Sequence, residues 1–249
     1  MEDATVRALI ASVPHWYHTV EVRPGIVTPG INDTMKVLSH LHLPADCRGH
    51  RALDLGTRDG FFAFELARRG ADVVAVDYMP KNSTGYAVLG ELLGVDVPYR
   101  QENIYNLDPE RDGTFDIVLF LGLLYHLTDP MGALRLVRRL CRGTLYLETQ
   151  VLENAVLMGD GSLAALASVA PAVADLPLMQ FYPGRALNND PTNYWVPNMA
   201  CLRGMLRENN FEVTSETLLG ARAVFTARAI DDASQEYLTN IATGIISPG

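Results

Sequence analysis

The 249-residue chain carries 20 Lys+Arg against 29 Asp+Glu, a formal charge of −9, with 48% hydrophobic and 20% charged residues. This composition supplies enough apolar surface for a buried core and excludes wholesale disorder, and the length suits one large domain or one domain with an insertion. The acid excess argues against non-specific attachment to nucleic acid or anionic lipid, which both rely on summed positive charge, while leaving room for a local basic patch.

The N-terminal Met1–Gly49 holds one short helix around Asp33–Leu41 and an aromatic, His-containing segment, HWYHTVEVRPGIVTPG. It stands apart from the rhythm that follows and reads as a cap over one edge of the domain. From His50 onward, short β-branched and apolar runs alternate with amphipathic stretches, the pattern of a parallel sheet covered by helices, an α/β fold. RALDLG (Arg51–Gly56) reads as a buried strand, Phe61–Arg69 as a helix stopped by Gly70, and DVVAVD (Asp72–Asp77) as a second strand. A helix across Asn82–Leu93 ends at Gly94, and VPYRQENI is a third strand. FDIVLFLG (Phe115–Gly122) is a fourth, and its unbroken hydrophobicity marks it as central. In TDPMGALRLVRRL, Asp129 is an N-cap and Pro130 sits at the first helical position, where its missing N–H costs nothing. GTLYLETQ is the fifth strand.

Val151–Pro197 then breaks the alternation, with Pro171, Pro177, Pro183, Pro191 and Pro197 spread along it. A connection that long inside a compact domain usually serves as a lid or binding loop. A helix over Asn198–Glu208, capped by Asn198, precedes two strands, FEVTSETLL and ARAVFTARA, joined through Gly220 as a hairpin. Ile230–Gly249 reads as a helix and tail. The expected division is therefore a cap over 1–49 and a catalytic domain over 50–249 with a substrate-binding insertion at 151–197.

Cys47, Cys141 and Cys201 are odd in number, and Met1–Ile10 carries Glu2, Asp3 and Arg7 where a secretory leader would be apolar, so a reduced, cytoplasmic setting is expected. The longest uncharged stretch, Gly161–Ala174, is too short to span a bilayer. Lys36 and Lys81 are the only lysines, which reads as the codon bias of a high-GC genome.

The strongest local signal is LDLGTRDGFFAFEL (Leu53–Leu66). A strand closes on Asp54, turns at Gly56 and reaches Gly60 at the head of a helix, so the backbone can turn tightly and a ligand can approach without meeting a Cβ. Asp77, at the end of the second strand, is placed to accept from both hydroxyls of a ribose, and Tyr78 and Met79 to pack on an adenine. Two cofactors share this geometry. A dinucleotide site wants three glycines spaced for a pyrophosphate, whereas Gly56-Thr57-Arg58-Asp59-Gly60 lacks the middle one and sets Asp59 where that anion would lie. S-adenosylmethionine has no phosphate and carries cationic sulfonium and amino groups, so Asp54 near its methionine end is favourable. A loop whose acids merely cap the next helix is the alternative.

LDLGTRDGFFAFELARRGADVVAVD, FDIVLFLGLLYHLTDPMGALRLVRRL and LYLET together resemble the class I S-adenosylmethionine-dependent methyltransferases over about Arg51–Ala229. Within them, TPG (Thr28–Gly30), GLLYHLTDP and LET are similar to the branch that includes the bacterial tRNA wobble-uridine carboxymethyltransferase and its small-molecule-modifying relatives. The resemblance implies a Rossmann-like seven-stranded sheet, mostly parallel, whose last strand is antiparallel. It implies that Asp54, Gly56, Thr57 and Gly60 surround the methionine moiety, Asp77 the ribose, and Asn103 and Ile104 the adenine, with Leu121 and Gly122 beneath the cofactor. Relatives often have Asp at the position of Asn103; an amide can still accept from the adenine amino group.

Methyl transfer requires alignment, exclusion of water and, for a weakly acidic hydroxyl, removal of a proton. His126, in LLYHL beyond the fourth strand, lies where open α/β sheets place reactive groups and has the right proton affinity for a base, with Tyr125 beside it as catalytic partner or core residue. Glu148, closing the fifth strand, is the rival base or a substrate anchor. His15, Trp16, Tyr17 and His18 can close over a substrate or simply pack the cap. Tyr182, Arg185, Asn193 and Trp195 in the insertion suit a polar, ring-bearing acceptor. His40, His42, Cys47 and His50 cluster but match no standard zinc spacing, so no metal is expected.

These features favour O-methylation of a small-molecule, secondary-metabolite hydroxyl using S-adenosylmethionine, in a protein that contacts neither nucleic acid nor membrane, with homo-oligomerisation left open. The alternatives are a tRNA wobble-uridine (carboxy)methyltransferase and an NAD(P)-dependent oxidoreductase. The first needs a basic surface, and the only dense basic cluster, Arg135, Arg138, Arg139 and Arg142, has the spacing of a solvated helix face. A non-catalytic regulator with a relict nucleotide pocket would bind cofactor without turnover.

Overall fold

The computed structural model describes residues 1–231, which fall into two compact units, Met1–Leu119 and a second beginning at Phe120. The first unit opens with a helix, α1 (Asp3–Ser12), which buries only Val6 and Ile10, and a small antiparallel hairpin of β1 (Glu21–Arg23) and β2 (Ile26–Val27). Neither was read from the sequence. Helix α2 (Thr34–Leu41) starts where Asp33 accepts the Lys36 amide at 3.1 Å.

The sheet begins with β3 (Arg51–Leu55), buried from Ala52 onward, followed by α3 (Phe61–Arg68) and β4 (Asp72–Asp77), which runs parallel to β3. The stretch predicted as one helix over Asn82–Leu93 is split. A 3-10 turn covers Lys81–Ser83 and α4 runs Tyr86–Leu93, because Thr84 is extended (φ −121°, ψ 178°); Gly94 closes α4 in the left-handed region, as expected. The third predicted strand is shorter than its apolar run: β5 is Tyr99–Gln101, parallel to β4. A one-turn helix, α5 (Pro109–Asp112), follows, and then β6 (Phe115–Leu121), almost wholly buried.

In the second unit, α6 (Pro130–Leu140) is capped by Asp129, whose carboxylate accepts the Gly132 amide at 2.7 Å. Strand β7 (Cys141–Gln150) runs two residues beyond Glu148. The long insertion contains local order of its own: a hairpin of β8 (Val156–Leu157) and β9 (Leu163–Ala164), a one-turn helix α7 (Leu166–Val169), and a hairpin of β10 (Met179–Phe181) and β11 (Trp195–Pro197). Its apolar side chains Leu166, Tyr182, Leu187 and Val196 pack with Tyr125 and Leu152 into one cluster. Helix α8 (Met199–Glu208) starts at Asn198, which accepts the Cys201 amide at 2.9 Å. Strands β12 (Phe211–Leu219) and β13 (Arg222–Ala229) form the expected hairpin, and β13 is antiparallel to both β12 and β7.

Seven strands make one mixed sheet in the order β12-β13-β7-β6-β3-β4-β5, with the last strand in the chain antiparallel, as the resemblance implied. No helix among the described residues is long and apolar enough to cross a membrane. Beyond Asp231, the predicted C-terminal helix and tail lie outside the described residues.

Candidate active site

In the first unit the parallel register of β3 and β4 brings Asp54 and Asp77 to the carboxyl ends of neighbouring strands. The turn after β3 is built on backbone: the amides of Gly56 (φ 73°) and Thr57 both donate to the Val76 carbonyl, at 2.8 and 3.1 Å. The buried Asp54 carboxyl accepts from the Thr57 hydroxyl at 2.6 Å. Burial pushes its pKa from 3.8 up to about 7; the Thr57 bond opposes that rise, and the nearby Asp77 carboxylate adds to it. Asp77, also buried, accepts the Arg58 amide through one oxygen and the Met79 amide through the other, each at 2.9 Å. Two desolvated acids side by side, balanced only by neutral donors, suit a cationic ligand with vicinal hydroxyls, and the donor set therefore fits S-adenosylmethionine.

The neighbours of these acids only partly follow expectation. Tyr78 is exposed, and Met79 is half-buried with its carbonyl accepting the Tyr99 hydroxyl at 2.6 Å. Ile104 is buried beyond β5. The acceptor oxygen of Asn103 takes the Tyr105 amide at 3.0 Å, capping a 3-10 turn, which uses one of its two lone pairs in a structural role. Asp59 does not face a ligand. It is fully buried, with one oxygen accepting the amides of Tyr17 (2.7 Å) and His18 (2.8 Å) and the other the Gly85 amide (2.8 Å). The acid that the sequence set against a pyrophosphate is a clasp for the N-terminal segment and the start of α4.

That segment is packed more deeply than a lid. Trp16 donates its indole N–H to the Ile10 carbonyl at 2.9 Å and lies so close to Gly85 that a Cβ there would sit 2.3 Å from its ring. His18 is buried edge-on to Phe61 and Phe62, and its pKa falls from 6.5 to about 4, because burial outweighs the raising effect of Asp59 while Arg58 lowers it further. Of His15, Trp16, Tyr17 and His18, only His15 is exposed. Trp16 and His18 are thus cap-packing residues in this structure, the second of the two readings the sequence allowed.

In the second unit, β6 ends at Leu121, and Gly122 (φ 68°) donates its amide to the Glu148 carbonyl at 2.8 Å. The buried Glu148 side chain is held by the Arg222 guanidinium through both oxygens, the Nη2–Oε2 contact being 2.7 Å. Both Glu148 oxygens are thus engaged by the guanidinium, and the pair positions Arg222. Arg222 also donates toward the Tyr125 hydroxyl at 3.3 and 3.4 Å, and its guanidinium carbon lies 5.2 Å from the Tyr125 ring centroid. The sequence gives no sign of Arg222, since it stands 74 residues from its partner.

His126 follows on a 3-10 turn (Leu124–His126), its ring 4.2 Å from that of Tyr125. Its Nδ1 lies 2.9 Å from the Thr192 hydroxyl and 3.2 Å from the Thr192 carbonyl. Among the insertion residues, Tyr182 is buried, with its hydroxyl donating to the Ala155 carbonyl, and burial pushes its pKa up to about 12. It packs in the core cluster of the insertion. Asn193 is also buried, donating to the Leu187 carbonyl at 2.8 Å while its Oδ1 has no partner. Arg185 is exposed, and the half-buried Trp195 packs on Phe181 at 5.0 Å.

Comparison with known proteins agrees with the fold. The family model described as a methyltransferase domain matches residues 53–147, from the strand carrying Asp54 to the one carrying Glu148. A ubiquinone biosynthesis O-methyltransferase of Xanthomonas oryzae pv. oryzae is 33% identical over 114 residues, 45% of this chain and 48% of that protein. The chain thus spans about half the length of the curated relatives it matches. Among solved structures, the N-terminal domain of EvdMO1, crystallised in the presence of SAH and D-fucose, superposes with a TM-score of 0.61 at 21% identity, covering 92% of this chain and 98% of that one. The 1,6-didemethyltoxoflavin-N1-methyltransferase of Burkholderia thailandensis gives 0.54 at 18% identity, over 74% and 72%. Residues 53–147 thus match a methyltransferase domain, and the chain shares the fold of these solved structures.

Proposed function

We propose that the protein is an S-adenosylmethionine-dependent O-methyltransferase of a small-molecule metabolite, with Met1–Gly49 as a cap and the 151–197 insertion contacting the acceptor. The observation that carries this reading is the pair of buried acids, Asp54 and Asp77, ending adjacent parallel strands inside a methyltransferase domain. The O-methyltransferase names among the relatives support a hydroxyl acceptor. When bound, the cofactor supplies an electrophilic methyl carbon on a sulfonium, whose bonding pair stays with sulfur as the acceptor oxygen attacks. Asp54 would hold the cationic amino end and Asp77 the ribose hydroxyls. His126 would take the acceptor's hydroxyl proton on Nε2 and end the step as imidazolium. Tyr125 would support that ring from one face. A cytoplasmic setting accords with three free thiols.

The test is calorimetric titration with S-adenosylmethionine, S-adenosylhomocysteine and NADPH, followed by transfer of labelled methyl to panels of catechols, sugars and transfer RNA. Binding of the first two with label on a hydroxyl supports the reading; NADPH binding, or label on RNA alone, overturns it. His126→Ala should lower turnover about 100-fold with cofactor affinity intact. A loss below about fivefold would leave His126 a positional role and overturn it as the base.

A further inference from the structure

The insertion places an unforeseen pair of side chains against His126. Thr192 Oγ1 lies 2.9 Å from His126 Nδ1 and 2.6 Å from the Oδ1 of Asp190, which also accepts the Thr192 amide at 2.8 Å. The hydroxyl has a single proton. Donated to the carboxylate, which can only accept, it leaves Oγ1 facing the imidazole as an acceptor. The Thr192 carbonyl, 3.2 Å from the same nitrogen, can also only accept. Both neighbours therefore require Nδ1 to carry the hydrogen, so the lone pair of the neutral ring is on Nε2.

The surrounding backbone fixes this arrangement. The Tyr194 amide donates to the Tyr125 carbonyl at 2.8 Å, and the Tyr182 amide donates to the Tyr194 carbonyl at 2.9 Å, splicing the Thr192–Tyr194 segment to the turn that bears His126. Asp190 is suited to the anionic end. Partial burial pushes its pKa up, but the Thr192 hydroxyl and amide, with His126 and Arg185, more than offset this and hold it below the ordinary carboxylate value.

We propose that Asp190 and Thr192 are positioning residues for His126, forming a carboxylate–hydroxyl–imidazole relay that locks the Nδ1–H tautomer and so makes Nε2 the proton-accepting nitrogen. The catalytic consequence rests on the reading of His126 as the base; the tautomer lock does not. In the step itself, the acceptor's proton goes to Nε2, Nδ1 keeps its own, and the imidazolium charge is stabilised through Thr192 by Asp190.

The experiment is nitrogen-15 NMR of the imidazoles in the full chain, near pH 8, with His126→Gln used for assignment. The wild type should show Nδ1–H in at least about fivefold excess. Asp190→Ala frees the Thr192 proton to compete for Nδ1 and should shrink that excess, leaving the Thr192 carbonyl as the one acceptor that still favours Nδ1–H. Thr192→Ser keeps the hydroxyl and should retain the excess, which a merely structural loss would not. A wild type dominated by Nε2–H, or an Asp190→Ala protein whose Nδ1–H excess is unchanged, overturns the relay. Full methyl transfer to catechol by His126→Ala, with the wild-type tautomer still Nδ1–H, would instead overturn the base assignment while supporting the lock.

Discussion

At Gly60 the backbone adopts φ +85°, and a Cβ there would lie 2.6 Å from ring atoms of both Phe64 and Tyr86. The sequence motif points to this glycine as an opening for a ligand; the structure adds a packing reason internal to the fold. Gly60→Ala should therefore destabilise the protein by about 2 kcal/mol or more, through left-handed strain and overpacking together. Thermal melting followed by circular dichroism checks this, and an unchanged midpoint would contradict it. Asp77 is the opposite case, a residue whose fold partners leave room for a ligand: each oxygen accepts one amide and retains a second lone pair. Asp77→Ala should weaken S-adenosylmethionine binding by about 1.5–3 kcal/mol in calorimetric titration. Equal affinity in the two proteins would refute the ribose assignment.

Among the elements, the Asp59 clasp shows what a sequence can and cannot reveal. Asp59→Ala would strip acceptors from three amides, those of Tyr17, His18 and Gly85, each costing about 1–3 kcal/mol when left buried and unpaired. Hydrogen exchange should then become faster at Tyr17 and His18 than in β3; protection that falls equally in both places would show that the segment does not open separately. Gly60 was legible as the head of a helix, but two partners of the neighbouring acid lie 42 and 41 residues earlier and the third 26 residues later, beyond any local pattern. The same limit hid Arg222. Elements with strong local chemistry were legible: the apolar runs of β3, β4 and β6, and the caps Asp129 and Asn198. Helix α1 was not, because Glu2 makes no capping bond and only Val6 and Ile10 reach the core. The strands inside the insertion are two or three residues long, too short for an alternating pattern to register.

Across the whole molecule, two buried groups give stability opposite dependences on pH. His18 holds a pKa of about 4 against 6.5 unfolded, so between those values the unfolded chain binds the extra proton and stability falls on acidification. Asp54, at about 7 against 3.8, keeps a proton the unfolded chain has released, so over its window stability falls as pH rises. The windows overlap from pH 4 to 6.5, where the slopes oppose each other. In urea titrations across this range, Asp54→Asn should expose the His18 slope and lose stability toward pH 4, whereas His18→Gln should gain it. Parallel curves for all three proteins would remove both assignments. A bound cation at Asp54 would favour its ionised form, so S-adenosylmethionine binding should release a proton below pH 7.

The place of β13 bears on how the polypeptide is made. This strand emerges from the ribosome after every other member of the sheet, yet it lies between β7 and β12 and pairs with both. Until Arg222–Ala229 is synthesised, the flank of β7 that it will cover stays unpaired, an invitation to self-association. Chains halted before Arg222 should accordingly collect as aggregates instead of persisting as a smaller folded core, and the closing hairpin is where a chaperone's protection would matter most.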